Sequence, residues 1–375
     1  MSGHESMTIA PARAPRPPPR GRVAVAMSGG VDSSVAAALL VEQGWEAVGV
    51  HLKLHGLADE DKRGKSCCSL DDSLDARQVC ARLGIPFYVL DFTREFTAGV
   101  MDYFVEGYRN GTTPNPCVMC NRTVKQALLL ARVREFGCER LATGHYAGLR
   151  REPASGRLAI VKARDLRKDQ TYFLWGTRSG DLPYLLYPLA GYEKADARKA
   201  ASARGLATWD KPDSQEVCFV PRDYRDFLRP RLADAPPAPG DFVDREGRTL
   251  GRHRGLPYYT IGQRRGLGLG GERPWYVVAL LRDTNQVVLG SETDLMGTAL
   301  TVRGVNWVSC DPPSHPRRAC VKVRYLHAGT DAQVTPLPDG RARVEFGEPV
   351  RAITPGQAAV FYEGDTLLGG GWIEG

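Results

Sequence analysis

The chain has 375 residues, 42% of them hydrophobic and 25% charged, with a formal net charge of +7 and a pI near 8.9. That length supports two or three domains, and no apolar run is long enough to span a bilayer. The mild positive charge permits an anionic partner without demanding one, and nine cysteines, an odd number without small-domain spacing, argue against a disulfide framework.

The first twenty residues, rich in proline and arginine, read as a disordered or polyproline-like tail with no signal-peptide core, so a cytoplasmic location is expected. "VAVAM" (23–27) predicts a buried strand, and "SSVAAALLVEQG" a helix capped by Ser33 or Ser34 and stopped by Gly44. "EAVGVHLKL", "SLDARQVCARLG" and "PFYVLDF" continue as strand, helix and strand. Phe96, Val100, Phe104 and Tyr108 then form an apolar stripe at i, i+4 spacing. A helix beginning near Asn121 and a fourth strand, "CERLATGHYA", follow. Strictly alternating elements imply an α/β fold, a doubly wound parallel nucleotide-binding sheet with ligands at the carboxyl ends of its strands. After about residue 215 helical periodicity fades. "LADAPPAPGD" reads as a linker and "PWYVVALLRDTNQVVLG" as a hairpin turning near Asp283 to Asn285, while the final segments read as a small antiparallel barrel. The expected division is a tail 1–20, an α/β domain 21–214, a small mixed α+β domain 215–297 and a C-terminal β-barrel 298–375.

"VAVAMSGGVDSS" sets a glycine pair between the first strand and the first helix. Backbone N–H groups of residues 28 to 33 can there face one anion, with the helix dipole behind them. Gly29 and Gly30 allow close approach, and Ser28 and Ser33 add hydroxyls. Asp32 would repel bare phosphate, so it is expected to meet a phosphate-bound Mg²⁺ or to cap the helix. The string lacks the GxxxxGK[ST] pattern of a Walker A loop. Gly64-Lys65-Ser66 does not complete one, because its partner position is Asp59.

The loop "TTPNPCVMCN" (112–121) carries Cys117 and Cys120, and Cys218 lies in "DSQEVCFV". A cysteine just before a helix, as Cys120 is expected to be, has its thiolate favoured by the dipole. Four readings stand: a zinc site, short of ligands without a second CxxC; a CxxC redox centre; an iron–sulfur cluster held by Cys117, Cys120 and Cys218; or a sulfur-transfer pair. Only the last uses both the phosphate loop and the isolated Cys218.

The SGGVDS string is the signature of the PP-loop ATP pyrophosphatases. With "GTTPNPCVMCN", "ATGHY", "KDQTYFL", "DSQEVCF", "YTIGQRRGLGLGG" and "TPGQAAVFYEGD" in this order, the chain resembles the tRNA-specific 2-thiouridylases (the MnmA/TrmU family) over essentially its whole length beyond the tail. The resemblance implies conversion of the wobble uridine's 2-oxygen to sulfur in tRNAs reading Lys, Glu and Gln codons. ATP and Mg²⁺ would be needed, and a donor protein (a cysteine desulfurase or sulfur relay) would supply persulfide sulfur. It makes Cys120 the nucleophile and Cys218 the persulfide carrier, joined by a transient disulfide as sulfur leaves. It assigns ATP contacts to Ala26, Met27, Ser28, Gly29, Gly30, Val31, Asp32, Ser33, Leu52 and Gly144. Contacts with the target base fall to Asn115, Pro116 and Cys117. Other tRNA contacts fall to His145, Lys168, Asp169, Gln170, Arg324, Tyr325 and Gln357. Many relatives carry an aspartate, with acid–base or base-positioning work, where this chain has Cys117. No metal ligand is assigned and no membrane contact is expected. A PP-loop amidotransferase-type synthetase would need an ammonia source that nothing here resembles, and an ATP-gated RNA-binding protein is the non-catalytic alternative.

Blander readings stand beside these. His145 could be a hydrogen-bonded structural residue, and Lys168 to Gln170 a solvated helix start. The arginine pair in "IGQRRGLGLGG" suits phosphates but also an ordinary surface hairpin. Cys67, Cys68, Cys80, Cys138, Cys310 and Cys320 read as structural or incidental.

Overall fold

Strand β1 (Arg22–Ala26) is flanked on one side by β2 (Glu46–Lys53) and on the other by β4 (Arg140–Ala142), with β3 (Phe87–Asp91) outermost beyond β2, all parallel. This computed structural model describes residues 20–55, 70–153, 155–213, 217–220, 223–270 and 274–375. The tail up to Pro19 and residues 56–69, with Cys67 and Cys68, lie outside them. Later in the chain come β5 (Ala147–Arg151), β6 (Leu158–Lys162) and β7 (Leu185–Leu186), of which β7 adds a fifth parallel strand beside β4. The strand order reverses at β1, so the gap between the carboxyl ends of β1 and β4 is the ligand crevice of a doubly wound sheet.

Helices α1 (Val31–Glu42) and α2 (Leu70–Leu83) follow β1 and β2. Helix α3, residues 93–109, contains a π-helical stretch at Thr97–Met101. Its stripe of Phe96, Val100, Phe104 and Tyr108 is buried as expected. Four-residue steps drift by about 40° each on an ideal α-helix. The wider π turn absorbs that drift and keeps the four side chains on one face.

Helix α4, residues 116–135, differs from the expected start near Asn121. Asn115 caps it by accepting the Val118 N–H at 3.2 Å, and Pro116 occupies the first turn, where its missing N–H costs nothing. Cys117 therefore lies in the first turn and Cys120 one turn further in, where a second π segment, Cys120–Leu128, begins. Two other expectations are corrected. Helix α1 starts at Val31 without a side-chain cap, and the Ser33 and Ser34 hydroxyls instead donate back to Gly30 O at 3.1 and 2.8 Å. The fourth strand stops at Ala142, because Ala147–Arg151 leaves the parallel sheet and pairs with β6.

Helix α5 (Lys194–Ala203) packs on α1, and α6 (Tyr224–Arg231) opens the next unit. There β8 (Gly240–Val243), β9 (Thr249–His253), β10 (Tyr276–Leu281) and β11 (Gln286–Gly290) form a four-stranded sheet in the order β10-β11-β8-β9. Strands β12 (Met296–Asn306), β13 (Arg317–Lys322), β14 (Thr330–Pro336), β15 (Ala342–Arg351), β16 (Ala358–Glu363) and β17 (Thr366–Ile373) close an antiparallel barrel through the β12–β17 pairing. The β5–β6 hairpin joins this barrel's sheet at β17. Phe219 and Phe227 seat edge-on against Phe104 of α3, at ring separations of 5.3 and 5.7 Å, within a core that also takes in Tyr362 and Trp372 of the barrel.

Candidate functional site

The loop after β1 is shaped by its glycines. Gly29 has φ +73°, and a Cβ there would fall 2.3 Å from Asp72 O at the start of α2. Gly144, just past β4, abuts the same loop from across the crevice, where a Cβ would lie 2.7 Å from Ser33 N. Ser33 Oγ accepts the Ser28 N–H at 3.2 Å and lies 3.2 Å from Ser28 Oγ. Because α1 has no side-chain cap, its first N–H groups are directed at whatever anion enters the loop. Ala26 ends β1, Met27 O is bonded to His51 Nδ1 at 2.8 Å, and Leu52 is buried near the end of β2. The ten residues of the expected nucleotide set thus converge on the carboxyl ends of β1, β2 and β4.

Asp32 is already paired. Lys194 Nζ donates to its two carboxylate oxygens at 2.8 and 2.7 Å, and Tyr146 Oη donates at 2.9 Å. Burial first, then the Asp32 charge, hold the Tyr146 hydroxyl protonated as that donor. Lys194 also pairs with Asp213 at 2.8 Å, and Asp213 is bonded to Lys168 at 2.8 Å and to Arg198 at 3.1 Å. Burial raises the Asp213 carboxyl, but its bonds to Lys168 and Lys194 outweigh that and leave it below its ordinary value. Tyr146 and Asp213 fall inside the strings "ATGHY" and "DSQEVCF" without a role of their own being expected, and Lys194 falls in none of the quoted strings. Lys194 lies 162 positions from Asp32, on a helix whose sequence reads as an ordinary charged surface helix.

Cys120 is buried, and Cys218 packs against the same cluster of Phe96, Phe104, Phe219 and Phe227. That cluster extends from Leu52 and Leu54 at the end of β2 to the barrel and fills one face of the sheet, whereas Met27 and Val31 of the phosphate loop pack with α1 on the other face. Cys117 is half-buried, and its carbonyl accepts from Asn121 Nδ2 at 3.0 Å. Among the described residues no three His, Cys, Asp or Glu side chains are grouped to hold a metal ion. Burial raises the thiols of Cys80, Cys138, Cys310 and Cys320, Cys80 to about 12, as inert structural cysteines require.

A turn of the barrel holds residues 112 and 113, which lead into the start of α4. Gln357 Nε2 donates to Thr113 O at 2.9 Å, Thr113 N donates to Pro355 O at 2.8 Å, and Gly356, with φ +87°, presses on Thr112 and Thr113. Gln357 is thus bonded to backbone beside the expected base-contacting residues. Lys168 to Gln170 do not form a solvated helix start. Asp169 is 6% exposed and accepts from Ala163 N and Thr171 Oγ1, at 3.2 and 2.6 Å. Gln170 clamps Tyr146 through N–H and Oε1 bonds of 2.9 and 3.0 Å. Arg324 donates to Arg351 O at 2.8 Å, and Tyr325 packs on Phe173 with ring centroids 4.6 Å apart. Tyr325 thus meets the segment after Gln170, while Arg324 is bonded to the end of barrel strand β15. Arg264 and Arg265 are exposed on a loop anchored by buried Leu267.

His145 sits three residues past β4, with Nδ1 2.7 Å from Thr143 Oγ1. Burial, and secondarily the Lys125 ammonium, lower its pKa to about 3. The imidazole is therefore neutral across physiological pH, and any contact it makes with an anion is a neutral hydrogen bond. The folded pKa is depressed, so the unfolded chain takes up the proton first. The His145 contribution to stability is expected to be complete above about pH 6.5 and lost as pH falls toward 3. Ring-nitrogen NMR shifts of His145 that stay neutral down to about pH 5 would bear this out; a midpoint near 6.5 would refute it.

The chain matches family models described as the tRNA methyl transferase HUP domain (residues 21–222), the tRNA methyl transferase PRC-barrel domain (225–291) and the aminomethyltransferase beta-barrel domain (297–373). The tRNA-specific 2-thiouridylase MnmA of Chloroflexus aurantiacus is 48% identical over 352 residues, which span 94% of this chain and 98% of that protein. The protein of the same name from Magnetococcus marinus is 47% identical over 354 residues with the same coverage. That of Carboxydothermus hydrogenoformans is 46% identical over 358 residues, or 95% of this chain and 98% of that one. With matching domains along its length and relatives this similar end to end, the chain belongs to the tRNA-specific 2-thiouridylase MnmA family.

Proposed function

We propose that this protein is an ATP-dependent tRNA sulfurtransferase acting on the 2-oxygen of the wobble uridine in tRNAs for Lys, Glu and Gln, in the cytoplasm. Carrying the reading is one arrangement: a glycine-shaped phosphate loop at the carboxyl ends of β1 and β4, with Cys120 and Cys218 both in the core that fills the other face of the same sheet. The phosphate-loop N–H groups hold the triphosphate of MgATP and stabilise departing pyrophosphate. The target base leaves its stack to reach them. Uridine O2 attacks the α-phosphorus as the bond to the β-phosphate breaks and the N3 proton is lost. The terminal sulfur of a Cys218 persulfide then attacks C2 and AMP leaves. Cys120 thiolate attacks the Cys218 sulfur, which breaks the S–S bond, forms a Cys120–Cys218 disulfide and releases the 2-thiocarbonyl, whose N3 regains a proton. A cellular thiol reductant returns the disulfide to two thiols, and a donor protein reloads the persulfide. Cys117 occupies the position given to an aspartate in many relatives, beside the base. Asp169 and Gln170 act from within the fold, positioning Tyr146 and the surface that tRNA meets.

Nucleotide products test this directly. With tRNA and persulfide donor present, ATP is expected to yield AMP and pyrophosphate in equal amounts. ADP and phosphate as the products would refute α–β cleavage.

A further inference from the structure

The segment that leads to Cys218 is fastened to the phosphate loop at three points. Thr208 Oγ1 donates to Ser34 Oγ in the first turn of α1 at 3.0 Å. Lys211 Nζ donates to Asp72 at 2.7 Å, and Asp72 is the residue whose backbone lies against Gly29. Asp213, five positions before Cys218, pairs with Lys194, which in turn holds Asp32. The first two are side-chain contacts to the loop's supports. The second and third are both ion pairs, but only in the third is one ammonium, 12% exposed, shared between a carboxylate of the phosphate loop itself and a carboxylate of the segment.

We infer that Lys194 is a positioning residue that couples nucleotide in the phosphate loop to the Cys218 segment. The inference rests on the proposed ATP-dependent function. A triphosphate brings several negative charges to the residue-28-to-33 loop, within reach of the ammonium that Asp32 and Asp213 now share. At that depth a phosphate oxygen competes with a carboxylate on nearly equal terms. Redirected toward the phosphates, Lys194 loosens its hold on Asp213, which remains paired with Lys168 and Arg198. Asp213 is then held by Lys168 and by Arg198, one turn along α5 from Lys194, and its link to Asp32 is broken. Persulfide chemistry is thereby confined to the state in which an acceptor can be activated.

The test uses the full-length protein with its native cysteines. Alkylation of Cys218 by N-ethylmaleimide is followed by peptide mass spectrometry with and without saturating Mg²⁺ and α,β-methylene-ATP, with a cysteine-free peptide of the same protein as the internal reference. In the wild type the analogue is expected to change the Cys218 rate by about fivefold or more. In Lys194→Met the analogue still binds but the rate no longer responds, and Lys194→Arg restores the response. Asp213→Asn, which keeps the Lys194–Asp32 pair, is expected to lose the response as well. In thiolation assays Lys194→Met lowers kcat more than it raises KM for ATP. A wild type that binds the analogue with no change at Cys218, or a Lys194→Met protein that responds as the wild type does, overturns the inference alone. A wild type that does not bind the analogue overturns the ATP reading beneath it.

Discussion

Cys218→Ser is expected to abolish sulfur transfer to tRNA, by at least about 10³-fold, while affinities for tRNA and ATP stay near those of the wild type. Serine is close to cysteine in size, and the neighbouring Phe219 anchor against Phe96 and Phe104 is untouched, so the segment keeps its seat. What is lost is the atom that carries the persulfide. Cys120→Ser is expected to block the later step instead, leaving sulfur bound between the protein and the base. Incorporation of labelled sulfur into tRNA separates the two variants, and thiolation by Cys218→Ser at a tenth of the wild-type rate or more would remove Cys218 from the mechanism.

Gly144→Ala should be nearly as damaging for a steric reason. The added Cβ would lie 2.7 Å from Ser33 N and 2.8 Å from the Asp32 carbonyl carbon, both backbone atoms of the phosphate loop. Overpacking of this kind costs about 1–3 kcal/mol of stability. The functional loss is larger, because a displacement of about 1 Å at a reacting group costs on the order of 10²-fold in rate. Gly180→Ala, where nothing lies within 4 Å of the new Cβ, serves as the control. Steady-state AMP formation in the two variants decides the matter; equal rates would mean that Gly144 does not shape the loop.

Much of this site was legible along the chain because its parts are local. A strand, a glycine pair and a helix in succession make a phosphate loop without help from elsewhere, and the aromatic stripe of α3 declared its buried face by spacing alone. The start of α4 was misread because Pro116 looked like a loop residue, when Asn115 and Pro116 together make a helix start. Harder to see were contacts between distant segments. Nothing in "EKADARK" marks Lys194 as the partner of Asp32, and only the closed barrel brings Gln357 to Thr113, 244 positions away. Asp169 read as surface because a carboxylate beside a lysine carries no mark of burial, although its partners Ala163 and Thr171 are only six and two positions away.

The central claim is that sulfur reaches tRNA from a cysteine persulfide and not from an iron–sulfur cluster held by Cys117, Cys120 and Cys218. Its most direct test is ATP-dependent transfer of labelled sulfur from a cysteine desulfurase to tRNA, by wild-type protein prepared without iron and colourless in its absorption spectrum. Robust 2-thiouridine formation under these conditions is the result expected. Thiolation that appears only after iron and sulfide are restored would contradict the account and make those cysteines cluster ligands.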